Sequence, residues 1–352
     1  MTASTGKSRP QGAARSPRPT AQGGTPSSRH APPCGRPGVP ASGWRRHWPR
    51  IKRVLPWIFL ALVVTLVASH ARELDWQEVR KAIRRYDAIT LASAAGIAAV
   101  SYALYSCYDL LSRRYAGHRL PAGRVLAITF VSYAFNLNLG SLVGGVGFRL
   151  RLYSRLGLDQ AQISRVLGFS VLTNWLGYLL LAGTVFVSGT VELPQDWKLG
   201  STGLRWLGIA LLAVAAAYLG LCAFSRRRSF TWRGHELALP SWQLALGQFA
   251  LSASNWLAIA CVLYVLFRQQ LAFGTVVAVL MVSAVAGVVT HVPAGLGVLE
   301  AVFIGLLGWK FSRPELVATL VAYRAVYYLA PLAVAAALYA VLEWRARHLR
   351  VH

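Results

Sequence analysis

Acidic charge is scarce in this sequence: 12 Asp and Glu stand against 37 Lys and Arg, a formal net charge of +25. Charged residues of both signs make up only 14% of the 352, while 55% are hydrophobic. Soluble domains carry about 25% charged residues, so a water-soluble enzyme is excluded as the class. Cysteine is sparse as well. Cys34, Cys107, Cys222 and Cys261 are scattered, with no CxxC, which excludes a disulfide scaffold and argues against a thiolate metal site. GxSxG, HExxH and GxxxxGK[ST] are all missing, so serine hydrolysis, zinc proteolysis and nucleotide binding by a P-loop lose their support. No metal and no cofactor is expected.

What is present is apolar blocks near twenty residues long, the length a helix needs to cross ~30 Å of hydrocarbon. They fall at 55–70, 88–111, 125–142, 166–188, 203–224, 242–267, 272–290, 293–309 and 315–342. The expected fold class is therefore all-α, a polytopic transmembrane helical bundle. Residues 1–54, rich in Pro, Ser, Gly and Arg, bury too little apolar surface to offset ordering entropy and read as a disordered basic tail. The bundle takes 55–342, and 343–352 is a short basic end. The basic residues lie in the tail and between apolar blocks, as cytoplasmic loops and anionic headgroups require. No recognition motif accompanies them, so no specific nucleic-acid partner is expected.

The charges also set the topology. The tail, Arg113, Arg114, Arg119 and Arg124, the cluster Arg226, Arg227, Arg228 and Arg233, and the C-terminus with Arg345, Arg347 and Arg350 are expected to be cytoplasmic. Residues 189–200 and 71–87 then lie outside. A full crossing by 125–142 would put Arg149, Arg151, Arg155 and Arg165 on the wrong side. A re-entrant element there restores the pattern, and NLNLGSLVGGVGFR breaks helix with glycine and carries asparagine. Irregular backbone at membrane depth needs cover from protein or a hydrated cavity. The expectation is about eight spans with re-entrant or broken helices and both termini inside; nine full spans is the competing count.

Two constellations stand out. Asn136, Asn138, Gly145, Arg149 and Arg151 lie in the first broken stretch. Asparagines there can satisfy freed backbone or bind a polar group, and the arginines can hold phosphate; small-residue packing with arginines at the membrane edge is the plainer alternative. His291, Pro293, Gly295, Gly297 and Glu300 form the second. Pro293 suits a helix start, and the glycines permit an irregular entry. A carboxylate near the membrane midplane costs about 2.5–3.5 kcal/mol on insertion scales, so Glu300 needs a partner, and Arg324 in VAYRAVYYLAPL is the expected one. The pair acts either as a static clamp or in a substrate or proton path. Asn174 is a further polar residue within an apolar block, as is Asn255. Asp109 is expected to pair locally with Arg113, four residues on.

NLNLGSLVGGVGFRLRLYSRLGL and HVPAGLGVLEAVFIGLL, in this order and with the basic linker, resemble the membrane region of lysylphosphatidylglycerol synthases, including stand-alone bacterial inner-membrane proteins without the synthase domain. Asn136, Gly145 and Arg149 match the first motif in character, and Pro293, Gly295, Gly297 and Glu300 carry the second. The sequence departs from the family where proline and glutamate usually precede the arginine: Ser141, Leu142 and Val143 stand in the approach, and Phe148 precedes Arg149. The resemblance implies a flippase-like protein handling anionic or aminoacylated phospholipid. The chain ends shortly after its last block, so no aminoacyl transferase reaction is expected. The alternative is a membrane protein that does not transport but assists a lipid-metabolism enzyme.

Overall fold

The computed structural model describes residues 76–190, 200–225, 229–232, 235–290 and 297–348, together with Thr65. The N-terminal tail and the 55–70 block, Thr65 excepted, lie outside the described residues, as do His291, Pro293 and Gly295.

Helices dominate. They are α1 (Trp76–Arg84), α2 (Ala88–Ala116), α3 (Ala122–Leu139), α4 (Phe148–Arg155), α5 (Gln160–Ser188), α6 (Ser201–Phe224), α7 (Trp242–Leu266), α8 (Phe273–Thr290), α9 (Val298–Leu307), α10 (Arg313–Arg324) and α11 (Ala330–His348). Wide-turned π-helical segments join α3 to α4 (Ser141–Gly147) and α10 to α11 (Ala325–Leu329). A two-stranded antiparallel ribbon, Ser229–Trp232 with His235–Ala238, lies between α6 and α7 and was not expected from the sequence.

Local chemistry sets the helix ends. Asp87 caps α2 by accepting from the Thr90 amide, and Gly117 closes it in the left-handed region at φ 74°. Asp159 with Gln162 opens α5, and Ser312 with Glu315 opens α10, each as a reciprocal capping box.

Among the described residues, six helices are long and apolar enough to cross a membrane: α2, α5, α6, α7, α8 and the joined α10–α11. Of the eight expected crossings, the 55–70 block lies outside the described residues. The 293–309 block holds α9, only 10 residues, or roughly 15 Å at 1.5 Å per residue. That length cannot span the hydrocarbon alone. The protein is an all-α polytopic bundle, and its outer face is apolar as well as its core. On α6, Trp206, Ile209, Val214 and Leu221 remain exposed, an arrangement suited to lipid and costly in water.

The core is built around α2, which packs on α7, α3 and α5. α8 and α9 pack together, and α11 lies along α3.

Candidate functional site

The chain reverses direction at Gly140. Residues thirteen apart in sequence, Phe135 and Phe148, stack with ring centroids 4.1 Å apart, which a continuous helix would hold roughly 20 Å apart. Gly140 supplies the turn at φ 82°, ψ 168°, a backbone conformation that side chains oppose. Gly144 supplies the close approach: a Cβ there would lie 2.2 Å from the backbone nitrogen of Asn136. One at Gly145 would meet Asn136 Oδ1 at 2.8 Å. α3, the π-helical segment and α4 therefore form a helical hairpin, the geometry of a re-entrant element.

The hairpin tip borders a cavity of about 850 Å³. Asn136 and Gly140 come from the tip, Asn174 from α5, Trp256 from α7, Gly287 from α8, Val298 from α9 and Arg324 from the end of α10. Segments distant in sequence thus meet at one space. Leu142, at the tip, is 80% exposed. Asn174 is held in place through its backbone: its carbonyl accepts from Ser252 Oγ at 3.1 Å and Trp256 Nε1 at 3.2 Å. Asn138 lies behind the lining. Its amide donates to the carbonyls of Ala134 at 2.8 Å and Tyr328 at 3.4 Å, and so reads the irregular backbone of the second π segment.

Glu300 stands in the first turn of α9, just after Gly297 at φ 78°. Arg324 closes on it with two contacts, Nε–Oε1 at 2.8 Å and Nη2–Oε2 at 3.0 Å. The paired side chains keep 23% and 16% of their exposure, so the bridge borders open space. Its carboxylate also lies at the positive end of α9, where the unpaired amides favour negative charge. The ion pair thus makes two close contacts, with Nη2 donating the hydrogen bond, and is neutral overall and accessible.

Arg149 behaves differently. It is 3% exposed and bound to Asp109, which is 0% exposed, through Nε–Oδ2 at 2.8 Å and Nη2–Oδ1 at 3.1 Å. Tyr153 donates to Oδ2 at 2.9 Å, and Ser170 donates to Oδ1. Four donors occupy a carboxylate with about four acceptor positions. Arg149 Nη1 also reaches the Gly145 carbonyl at 3.4 Å, pinning the return arm of the hairpin. One expectation is corrected here. Asp109 pairs across the bundle rather than with Arg113, because it faces the buried side of α2 with Tyr108 and Ser112. Arg149 is held by that carboxylate and is not among the residues lining the cavity. Arg151 is likewise engaged: together with Arg155 it grips Glu343 of α11, the Arg151 contact being 3.4 Å.

Sequence reasoning missed a hydroxyl network beside the cavity. Ser101 Oγ donates to Asn255 Oδ1 at 2.8 Å and lies 2.7 Å from Tyr327 OH, which in turn lies 3.0 Å from Tyr133 OH. Tyr102 OH donates to the Tyr327 carbonyl at 3.0 Å, satisfying an acceptor within the π segment. The available signal was the run of tyrosines at helical spacing in SYALYSCYD, which reads equally well as core.

The family model described as the lysylphosphatidylglycerol synthase TM region matches residues 54–335. The chain belongs to this family. Among relatives of the lysylphosphatidylglycerol synthase TM-region family, inner membrane protein YbhN of Escherichia coli (strain K12) is 48% identical over 304 residues, covering 86% of this chain and 96% of its own. The uncharacterized protein slr0712 of Synechocystis is 29% identical over 292 residues, covering 81% of this chain and 90% of its own. A phosphatidylglycerol lysyltransferase of Staphylococcus haemolyticus is 26% identical over 292 residues, 79% of this chain but 32% of that enzyme. The family match therefore concerns the membrane region these proteins share, and the larger part of the lysyltransferase has no counterpart in the aligned residues.

Proposed function

We propose that the protein carries phospholipid between membrane leaflets, taking the headgroup into the cavity at the hairpin tip. The observation that supports this reading is the cavity of about 850 Å³ bordered by two broken-helix elements and by Arg324. Broken helices place polar backbone and charge at membrane depth, where only protein cover or a hydrated space makes them tolerable. The lipid class is phosphatidylglycerol or its aminoacylated derivatives, a reading supported by the names of the lysyltransferase relatives.

In this mechanism the Glu300–Arg324 pair is exchanged for the lipid: the phosphate meets Arg324, and the amine of an aminoacylated headgroup meets Glu300. Asn136 and Asn174 offer further polar contacts. Gly297 turns the chain into α9, while His291, Pro293 and Gly295 lie outside the described residues. Arg149 and Arg151 act by holding the hairpin through Asp109 and Glu343. The basic ends of the chain face the cytoplasm, and the protein resides in a bacterial inner membrane.

The test is leaflet redistribution of labelled phosphatidylglycerol and lysylphosphatidylglycerol in vesicles containing the purified full chain. Redistribution should be faster than in empty vesicles. Glu300→Gln and Arg324→Gln should each slow it about tenfold, the loss expected from one charge-assisted contact, with the protein still folded. Equal rates with and without protein, across several headgroups, would reject transport and leave a role in assisting a lipid-metabolism enzyme.

A further inference from the structure

A second pocket lies at the end of the bundle formed by the α1–α2, α7–α8 and α9–α10 turns. It measures about 270 Å³, and none of its lining residues borders the large cavity. Arg85 and Arg268 face it, with Tyr86 and Thr319 forming a polar floor through a 3.1 Å hydrogen bond from Tyr86 OH to Thr319 Oγ1. We propose that this pocket binds the phosphate of a monoester or diester, with Arg85 and Arg268 as its ligands.

The first argument is the backbone at Arg268. It and Gln269 adopt left-handed φ values of 51° and 59° at the end of α7. Helices that end this way favour glycine, because a Cβ is strained there. An arginine at such a position keeps a side chain at a backbone cost. That side chain is also fixed in place: Nη2 donates to the Arg85 carbonyl at 2.6 Å, and the guanidinium lies 5.5 Å from the centroid of the Tyr86 ring. A guanidinium held by one nitrogen and an aromatic face is pre-organised to present its remaining donors.

The second argument is charge. Two carboxylates border this region, and both are occupied by helix caps. Asp87 accepts from the amide and the hydroxyl of Thr90 at 3.2 and 2.6 Å. Hydrogen bonding from Thr90 accordingly holds its carboxyl below the usual range, with Arg268 adding a smaller push in the same direction. Glu315 accepts from the amide and hydroxyl of Ser312 at 3.2 and 3.1 Å. Neither forms an ion pair with Arg85 or Arg268 among the described residues. Glu315 belongs to the pocket lining and the Arg268 charge acts on Asp87, so the two guanidinium groups stand near capped carboxylates without being neutralised in an ion pair among the described residues.

Phosphate can arrive as a lipid headgroup or free in solution, and the test separates these sources. The full chain in a non-ionic detergent is melted with inorganic phosphate at constant ionic strength, with phosphatidylglycerol in mixed micelles, and with diacylglycerol as the phosphate-free control. Phosphatidylglycerol, inorganic phosphate or both should raise Tm, and diacylglycerol should not. A response to phosphatidylglycerol alone that Arg85→Gln and Arg268→Gly both weaken assigns the site to a lipid; a response to inorganic phosphate that they weaken assigns it to exposed phosphate. Arg85→Gln and Arg268→Gly should weaken the apparent affinity about tenfold, the loss of one charge-assisted contact. Arg268→Gly also relieves the left-handed strain, so its ligand-free Tm should equal or exceed that of the parent. The proposal is overturned if no phosphate-bearing probe raises Tm, or if both variants respond as the parent does. The measurement involves no leaflets, and because the large cavity also takes phosphatidylglycerol in the transport reading, only the part of the Tm rise that Arg85→Gln and Arg268→Gly remove reports on this pocket.

Discussion

Asp109 and Arg149, forty residues apart in sequence, meet as a bidentate ion pair withdrawn from the surface, with Nε–Oδ2 at 2.8 Å and Nη2–Oδ1 at 3.1 Å. The pair joins the end of α2 to the return arm of the hairpin, and Arg149 continues to the Gly145 carbonyl. Removing one partner leaves a buried charge uncompensated. Asp109→Asn and Arg149→Gln should therefore each lower unfolding free energy by about 3–5 kcal/mol. The double replacement Asp109→Leu/Arg149→Met should retain more stability than either single variant. Reversible unfolding in micelles measures all three, and a double variant weaker than both singles would contradict a pairwise role.

The hairpin gives a steric prediction. Gly144→Ala drives a Cβ into the backbone of α3, 2.2 Å from Asn136 N, and should cost about 1–3 kcal/mol through overpacking. Gly96→Ala is the control, on an exposed face of α2 with nothing within 4 Å. It should be neutral or stabilising by up to about 1 kcal/mol through helix propensity. Thermal unfolding of the two variants side by side tests the close approach directly.

At the cavity, Glu300→Gln and Arg324→Gln should each reduce stability by about 1.5–3 kcal/mol, the range for hydrogen bonds to charged groups. The exchanged pair Glu300→Arg/Arg324→Glu should recover part of that loss. If the exchanged pair is no better than the single reversals, in both unfolding and leaflet redistribution, the two side chains do not act as a unit.

His118 yields a pH prediction outside the spanning helices. Its ring is buried in the α2–α3 turn, and neither nitrogen has a hydrogen bond among the described residues. Burial lowers its pKa below 6.5, Arg113 lowers it further, and Asp109 opposes both. The unfolded chain therefore binds a proton that the folded chain resists. Above pH 6.5 the residue has no effect on stability; as pH falls below 6.5 toward the depressed folded value, stability is lost. His118→Phe should flatten that decline, as read from unfolding midpoints at pH 7.5 and 5.5.

Two sequence features placed Glu300 beside Arg324: each is a charge within an apolar run, and each needs a partner at membrane depth. The same logic applied to Asp109, the one carboxylate in the α2 sequence, and there it selected the wrong arginine. Arg113 is near along the helix, but the rotation of α2 turns Asp109 toward α4 and α5. Arg149 and Arg151 looked like phosphate ligands because arginine at a glycine-rich break suits an anion. In the folded chain Asp109 and Glu343 are their partners, a pairing the sequence did not indicate.

The sequence by itself determined the class of the protein and where its helices break. Apolar length governs what can lie in hydrocarbon, and glycine, proline and asparagine mark backbone that cannot continue as regular helix. Only the tertiary structure decided which charges meet, which tyrosines share protons, and that the hairpin tip and α9 border one cavity. Those facts depend on the rotation and depth of each helix, and packing sets both through contacts between residues far apart in the chain.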